Sequence, residues 1–273
     1  MLNSVWLPRS ARPKLVQLGL IAADVPPTKR PSSLPQALSH QPTSRILIDM
    51  NGLLLVNKPI GITSFDIIRV LRRKTGVRKI GHAGTLDPLA SGLMLMLFGT
   101  ACKQAQSFSK LDKRYVAQIT LGATSTTGDN EGDKTPVSHT APGEAAVLAA
   151  LNKFQGQLTQ IPSAYSAIKI NGKEAYKRAR AGEKVEMPSR EVIVYENKLV
   201  SYAYPIVEID TKVSSGTYIR TLAQDMGEEL GTGAYLSGLV RTEVGEFQLT
   251  EAIILDEADA ATAAEHMRDV TAN

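Results

Sequence analysis

Residues 81–92, Gly-His-Ala-Gly-Thr-Leu-Asp-Pro-Leu-Ala-Ser-Gly, place one carboxylate, Asp87, in a loop bracketed by glycines 81, 84 and 92 and followed at once by Pro88. The segments on either side read as regular structure, so the fold must bring two elements to this loop. Glycine admits backbone angles and close ligand approach that a side chain forbids, and proline fixes the conformation beside the acid. Two uses fit such a loop. Asp before Pro is a common turn former that bonds its own backbone, and a carboxylate in a glycine loop is also suited to catalysis. The neighbouring segments decide between them.

With 43% apolar and 21% charged residues the 273-residue chain has a globular composition and can bury one or two cores. Its one cysteine, Cys102, excludes an internal disulfide and a cysteine-based zinc site, and His40, His82, His139 and His266 are too scattered for metal ligation. The apolar run 92–98 is too short to cross a bilayer. A soluble, cytoplasmic, monomeric protein without metal or membrane partner is expected. The net charge of +4 says little by itself, because residues 1–50 hold six Lys/Arg against two Asp/Glu, which leaves 25 of each sign in the rest. The informative charge is local. Arg69, Arg72, Arg73, Lys74, Arg78 and Lys79 form an acid-free cluster just before the loop. Such a cluster attracts a phosphate backbone through counterion release, and it is equally compatible with a solvated helix face.

Residues 1–49 are rich in Pro and Ser, nearly free of acids and without a sustained apolar period, and are read as a flexible extension. Arg9, Arg12 and Lys14 around a Leu/Ile patch also fit a mitochondrial-type presequence. Beyond them, Leu53–Val56, Leu93–Phe98, Tyr115–Leu121, Val192–Tyr195 and Ile206–Val213 are expected as strands. Helices are expected from an N-cap at Ser64 to Gly76, with Phe65, Ile68 and Leu71 inward, at 144–154, and at 217–230 with Ile219, Leu222, Met226 and Leu230 inward. Residues 124–136 read as a polar loop. Its Asp129, Glu131 and Asp133 share the spacing of a calcium loop, but the other ligands are missing and a plain turn is expected. Residues 251–273, with six acids and one Arg, are set apart as a short acidic tail. The mixture lacks a βαβ rhythm, which implies an α+β fold around a mixed, largely antiparallel central sheet flanked by helices.

Five blocks in order resemble the TruB family of tRNA pseudouridine synthases over about residues 51–250. They are Asn57-Lys58-Pro59-Ile60-Gly61, the loop with Asp87, Lys113-Arg114-Tyr115, Ser215–Leu222 with Asp225-Met226-Gly227, and Gly233–Arg241. A stretch from Ile161 to Arg190, with Tyr165 and Lys169, resembles the family's thumb-like RNA-binding insertion. Met50 onward is similar to the ordinary start of such proteins. The resemblance implies a pseudouridine synthase catalytic fold over residues 50–250 and an isomerase that converts uridine to pseudouridine in the T-loop of tRNA, at position 55. It makes Asp87 the catalytic aspartate, Tyr115 the residue that stacks on the target base and Arg220 the partner of Asp87. It further implies Lys58 near the cleft, His82 filling the space the flipped base leaves, Tyr218 and Leu239 shaping the uracil pocket, and Arg72, Arg73, Tyr165 and Lys169 on the tRNA. Many family members carry a further RNA-binding PUA domain, for which the residues after 250 are too few.

The chemistry suits these residue types. Exchanging an N1–C1′ bond for C5–C1′ needs no electrons, group donor or energy carrier, so no cofactor is expected. It needs an extruded base, an aromatic platform and one carboxylate at the sugar–base junction. A non-catalytic RNA chaperone would tolerate loss of that carboxylate, and a guide-RNA-dependent synthase would be expected to carry the PUA domain. The intact set of Asp87, Tyr115 and Arg220 favours the enzyme.

Overall fold

An almost unbroken apolar run can be a strand only if both its faces are covered, and residues 52–58 and 90–98 are two such runs. In the computed structural model, which describes residues 50–163, 169–170, 172–183 and 185–270, they are β1 (Gly52–Lys58) and β3 (Ala90–Phe98), paired antiparallel at the heart of a large sheet. Between them lie α1 (Ser64–Thr75) and β2 (Ile80–Ala83). A short 3-10 turn and α2 (Ala105–Ser109) lead to β4 (Lys113–Leu121), whose residues alternate between full and partial burial as a strand with one solvated face requires.

The chain then forms a small hairpin, β5 (Ala123–Ser125) and β6 (Lys134–Pro136), and the helix α3 (Glu144–Lys153). It continues through β7 (Gly156–Gln160), a second small hairpin of β8 (Lys169–Ile170) and β9 (Lys173–Glu174), and α4 (Ala175–Arg180). The long strands β10 (Arg190–Ala203) and β11 (Ile206–Val213) precede α5 (Ile219–Glu229) and β12 (Ala234–Val244). Short elements β13 (Phe247–Gln248), β14 (Ile253–Ile254) and α6 (Ala260–Glu265) close the described chain. The main sheet runs β14-β1-β3-β12-β4-β11-β10-β7, with β2 on β3 and β13 on β12. Among the described strands of this sheet, only β1/β14 and β3/β12 pair parallel. The α+β, largely antiparallel architecture expected from the sequence is thus present.

Three local expectations are corrected. Thr63, not Ser64, caps α1, because Thr63 and Asp66 form a reciprocal capping box that Ser64 cannot form with Ile67 three residues on. Ser64 turns inward instead, so residues 64, 67, 68 and 71 face the core and Phe65 is left exposed. The polar loop 124–136 contains the hairpin β5–β6, and Asp129 at its tip is buried. Residues 251–270 are not a loose tail. Ile253 pairs with Val56, Leu53 and Arg268 exchange backbone hydrogen bonds, and Ile253, Leu255, Ala258 and Ala263 are buried. The spaced apolar residues outweigh the acidic composition because charges on the outer face do not oppose burial of the inner one.

Candidate active site

The glycine loop is bolted down along its whole length. Ser64 Oγ, on the first turn of α1, accepts from the Leu86 amide at 2.9 Å and donates to the Leu86 carbonyl at 3.0 Å. The Gly61 amide donates to Pro88 at 2.8 Å, and Lys58 Nζ donates to Ala90 at 2.6 Å. From β12, Arg241 donates to the carbonyls of Leu93 at 2.7 Å and Gly84 at 3.2 Å. Gly92 has φ +107°, and a Cβ there would lie 2.3 Å from the Arg241 carbonyl, so β3 and β12 approach as they do only because this residue is glycine.

Above this floor opens a cavity of about 350 Å³ whose lining includes Asp87, Tyr115, Tyr218, Arg220, Leu239 and Arg241. That size falls within the usual range for small-molecule pockets. The Asp87 carboxylate is 45% exposed at its wall, and Arg220, only 7% exposed, reaches it with Nη2 to Oδ2 at 3.1 Å. Arg220 comes from the first turn of α5. Its Nη1 lies 3.2 Å from Asp129 Oδ2 and 3.3 Å from the Thr127 carbonyl. Asp129 is itself fixed by the Thr127 hydroxyl at 2.5 Å and the Glu131 amide at 3.0 Å. The guanidinium therefore bridges two carboxylates, one buried and one open to the cavity. Such a bridge offsets the cost of burying the cation and holds Asp87 in one orientation.

Among the described residues, Arg241, Lys58 and Lys113 have no carboxylate in ion-pair contact. Arg241, 1% exposed, forms no ion pair among the described residues; burial lowers its pKa and the phenol of Tyr115 opposes the shift. Burial pushes Lys58 down to about 8, with Asp87 opposing and Arg241 adding to the shift. Burial also pushes Lys113 down to about 8, reinforced by Arg241, while its Nζ donates to the Ser109 and Leu111 carbonyls. His82 has its pKa lowered by burial and then by Arg241, and its Nδ1 has no hydrogen-bond partner among the described residues. Among the described residues no group of three His, Cys, Asp or Glu side chains could hold a metal ion.

Of the residues singled out from sequence, Asp87, Tyr115, Tyr218, Arg220 and Leu239 converge on the cavity. Lys58 is fully buried beneath the loop and lies outside the lining, and His82 sits half-buried on β2, also outside it. Arg72 and Arg73 are exposed near the end of α1, about 12 Å along the helix from Ser64. Tyr165 and the side chain of Lys169 lie outside the described residues. Sequence reading took Asp129 for part of a plain turn, because its partner is 91 positions away. It also left Arg241 and Lys113 without a role, since burial of a cation has no local signature.

Residues 72–219 match the TruB family pseudouridylate synthase N-terminal domain, and residues 220–271 match the tRNA pseudouridylate synthase B C-terminal domain. The tRNA pseudouridine synthase B of Burkholderia pseudomallei (strain 668) is 48% identical over 213 residues, which are 78% of this chain and 70% of that protein. The protein of the same name from Pseudomonas fluorescens (strain Pf0-1) is 41% identical over 219 residues, 80% of this chain and 72% of that one. Among solved structures, a Cbf5-Nop10-Gar1 complex contains a chain that superposes with a TM-score of 0.61 at 27% identity. The match covers 76% of this chain and 53% of that one, so the likeness spans about half the length of the solved relative.

Proposed function

Because the chain belongs to the TruB family of pseudouridylate synthases, we propose that it isomerises a uridine of tRNA to pseudouridine, and that the target is T-loop position 55. The observation that carries this reading is the Asp87 carboxylate, open to a nucleoside-sized cavity and held there by a buried arginine. A uridine extruded from its stack loses a few kcal/mol of stacking and pairing, and an aromatic ring in the cavity offsets part of that. Tyr115 is the platform. Tyr218 and Leu239 border the uracil, and Asp87 meets the sugar–base junction.

The reaction runs through a glycal. Asp87 takes the C2′ proton as the N1–C1′ bond breaks, so the bond electrons leave with uracil. The base turns in the pocket, C5 bonds to C1′ as C2′ regains its proton, and the proton lost from C5 is balanced by one gained at N1. Nothing enters or leaves the reaction as a whole. Arg72 and Arg73, exposed and distant from the chemistry, meet phosphates, as do the basic residues of the 161–190 insertion. Catalysis on this reading belongs to residues 50–250, with 251–270 as a packed strap and 1–49 as an extension the reaction does not use.

The test is pseudouridine mapping after incubation of the purified chain with a T stem-loop RNA. Wild type should modify the single position, Asp87→Asn should form none while its RNA affinity stays within about threefold, and a linear RNA of the same local sequence should react poorly. Equal modification of folded and linear RNA, or of an anticodon stem-loop instead, would end the T-loop assignment.

A further inference from the structure

Strands β7 and β10 pair antiparallel, and the last pair in their register is Gln160 with Arg190. The chain leaves the sheet after Gln160 and returns at Arg190, so these two residues form the root of the 161–189 excursion. Neither lines the cavity. Both nevertheless hold a residue that does.

Gln160 is 1% exposed and spends its whole side-chain amide on the backbone of Tyr218. Its Oε1 accepts from the Tyr218 amide at 3.0 Å and its Nε2 donates to the Tyr218 carbonyl at 3.3 Å. Tyr218 is the N-cap position of α5 and makes no side-chain capping bond there, so the glutamine supplies what the local sequence lacks. Arg190 adds a second hold. Its guanidinium lies 5.3 Å from the centre of the Tyr218 ring, and Nη1 donates to the Gly216 carbonyl at 3.3 Å. Gly216 has φ +83°, and a Cβ there would stand 3.3 Å from that same Nη1, so the arginine is seated against a backbone with little room for a larger residue.

Two residues past Tyr218 is Arg220, the partner of Asp87. The start of α5 thus has its backbone fixed by Gln160, its ring fixed by Arg190 and its cation fixed by two carboxylates. Resting on the function proposed above, we infer that Gln160 and Arg190 are positioning residues for the isomerisation: from the root of the insertion they set the place of Tyr218 and, through the first turn of α5, the angle at which Arg220 presents Asp87. Neither would touch the RNA base. The reaction is sensitive to such placement because an error near 1 Å in a reacting group costs about 100-fold in rate.

The experiment compares Gln160→Ala, Gln160→Glu, Arg190→Met and Arg190→Lys with wild type by single-turnover pseudouridine formation on a T stem-loop, by RNA affinity and by folded fraction at the assay temperature. Gln160→Ala and Arg190→Met should slow the single-turnover step about 10- to 100-fold while RNA affinity stays within about threefold. Gln160→Glu keeps the acceptor for the amide but sets an oxygen against the Tyr218 carbonyl, and should be as slow as Gln160→Ala. Arg190→Lys keeps a cation over the ring and should recover part of the loss seen in Arg190→Met. Rates within twofold of wild type, a loss confined to RNA affinity, or a loss matched by the fall in folded fraction would each overturn the inference while leaving the proposed function intact. A wild-type chain that forms no pseudouridine would overturn that function, and this inference with it.

Discussion

Arg220 and Arg241 line the same cavity from buried positions and are satisfied in opposite ways. Arg220 lies between two carboxylates, Asp87 at 3.1 Å and Asp129 at 3.2 Å. Arg241 donates to two backbone carbonyls and has no carboxylate beside it among the described residues. The first arrangement neutralises its cation locally and leaves the three side chains with one net negative charge, so its product is orientation: Asp87 is held facing the cavity. The second leaves a full positive charge in the floor, close enough to Lys58 and Lys113 to lower their pKa values further than burial does alone. One region uses electrostatics to hold the Asp87 carboxylate, and the other carries a charge that no carboxylate among the described residues offsets. A buried cation is costly in either setting, and paired geometry or several carbonyl acceptors are the two ways to tolerate it.

The comparison breaks most visibly at Arg220. Arg220→Ala leaves Asp129 buried without its cation, and should cost about 3–5 kcal/mol of stability in chemical denaturation together with at least about 100-fold in turnover. Asp129→Asn should cost about 10- to 100-fold in turnover with RNA affinity nearly unchanged, because the amide keeps the shape but loses the charge that aligns the guanidinium. The informative variant is the double one. Removing both members should restore much of the stability lost in Arg220→Ala without restoring turnover; a double variant no more stable than Arg220→Ala would show that the pairing does not govern the site.

A smaller effect tests the cationic floor. The folded-state pKa values of Lys58 and Lys113 are about 8, below the 10.5 of the unfolded chain. Folding therefore disfavours their charged forms, a cost present in full below pH 8 and lost as pH rises from there to 10.5. For the RNA the sign is the reverse, since positive charge disappears as pH passes 8. Affinity for a T stem-loop should weaken a few-fold between pH 7 and 9, about what two partly titrating charges allow. Lys113→Met should flatten that profile, and an unchanged profile would show that the floor does not sense the RNA.

The smallest effect concerns a half-buried charge outside the cavity. Asp225, on α5 beyond Arg220, forms no ion pair among the described residues, and its pKa is raised to about 6 by burial and then by Glu228. A carboxyl raised in this way costs stability above pH 6 and nothing below 3.8. Asp225→Asn should raise stability at pH 7.5 by about 1 kcal/mol after allowance for partial solvation, with no gain at pH 4. A loss at pH 7.5 would mean that the carboxylate has a partner stronger than its burial cost.

Much of this could be read along the chain. The buried strands β1 and β3 are apolar runs, β4 is a period-two alternation, and the inward face of α5 follows from Ile219, Leu222 and Met226. The loop around Asp87 stood out because glycines and proline constrain their own backbone whatever lies nearby. These features are legible because periodicity and backbone restriction act between residues a few positions apart. The bridge from Asp87 through Arg220 to Asp129 is of another kind. Asp129 has the composition of a turn, and its meaning comes from a guanidinium 91 positions away, brought there when α5 packs beside the β5–β6 hairpin. Arg241, Lys58 and Lys113 look like ordinary surface cations until the sheet closes over them. The segment after 250 reads as acidic until Ile253 and Leu255 find β1 and the core. Periodicity therefore determined the longest apolar strands and the amphipathic helices, and glycine and proline marked the loop that holds Asp87. Only the tertiary structure decided which charges are buried and what holds them, because the cost of a charge and the choice of its partner depend on distance and solvent, neither of which is a property of the local chain.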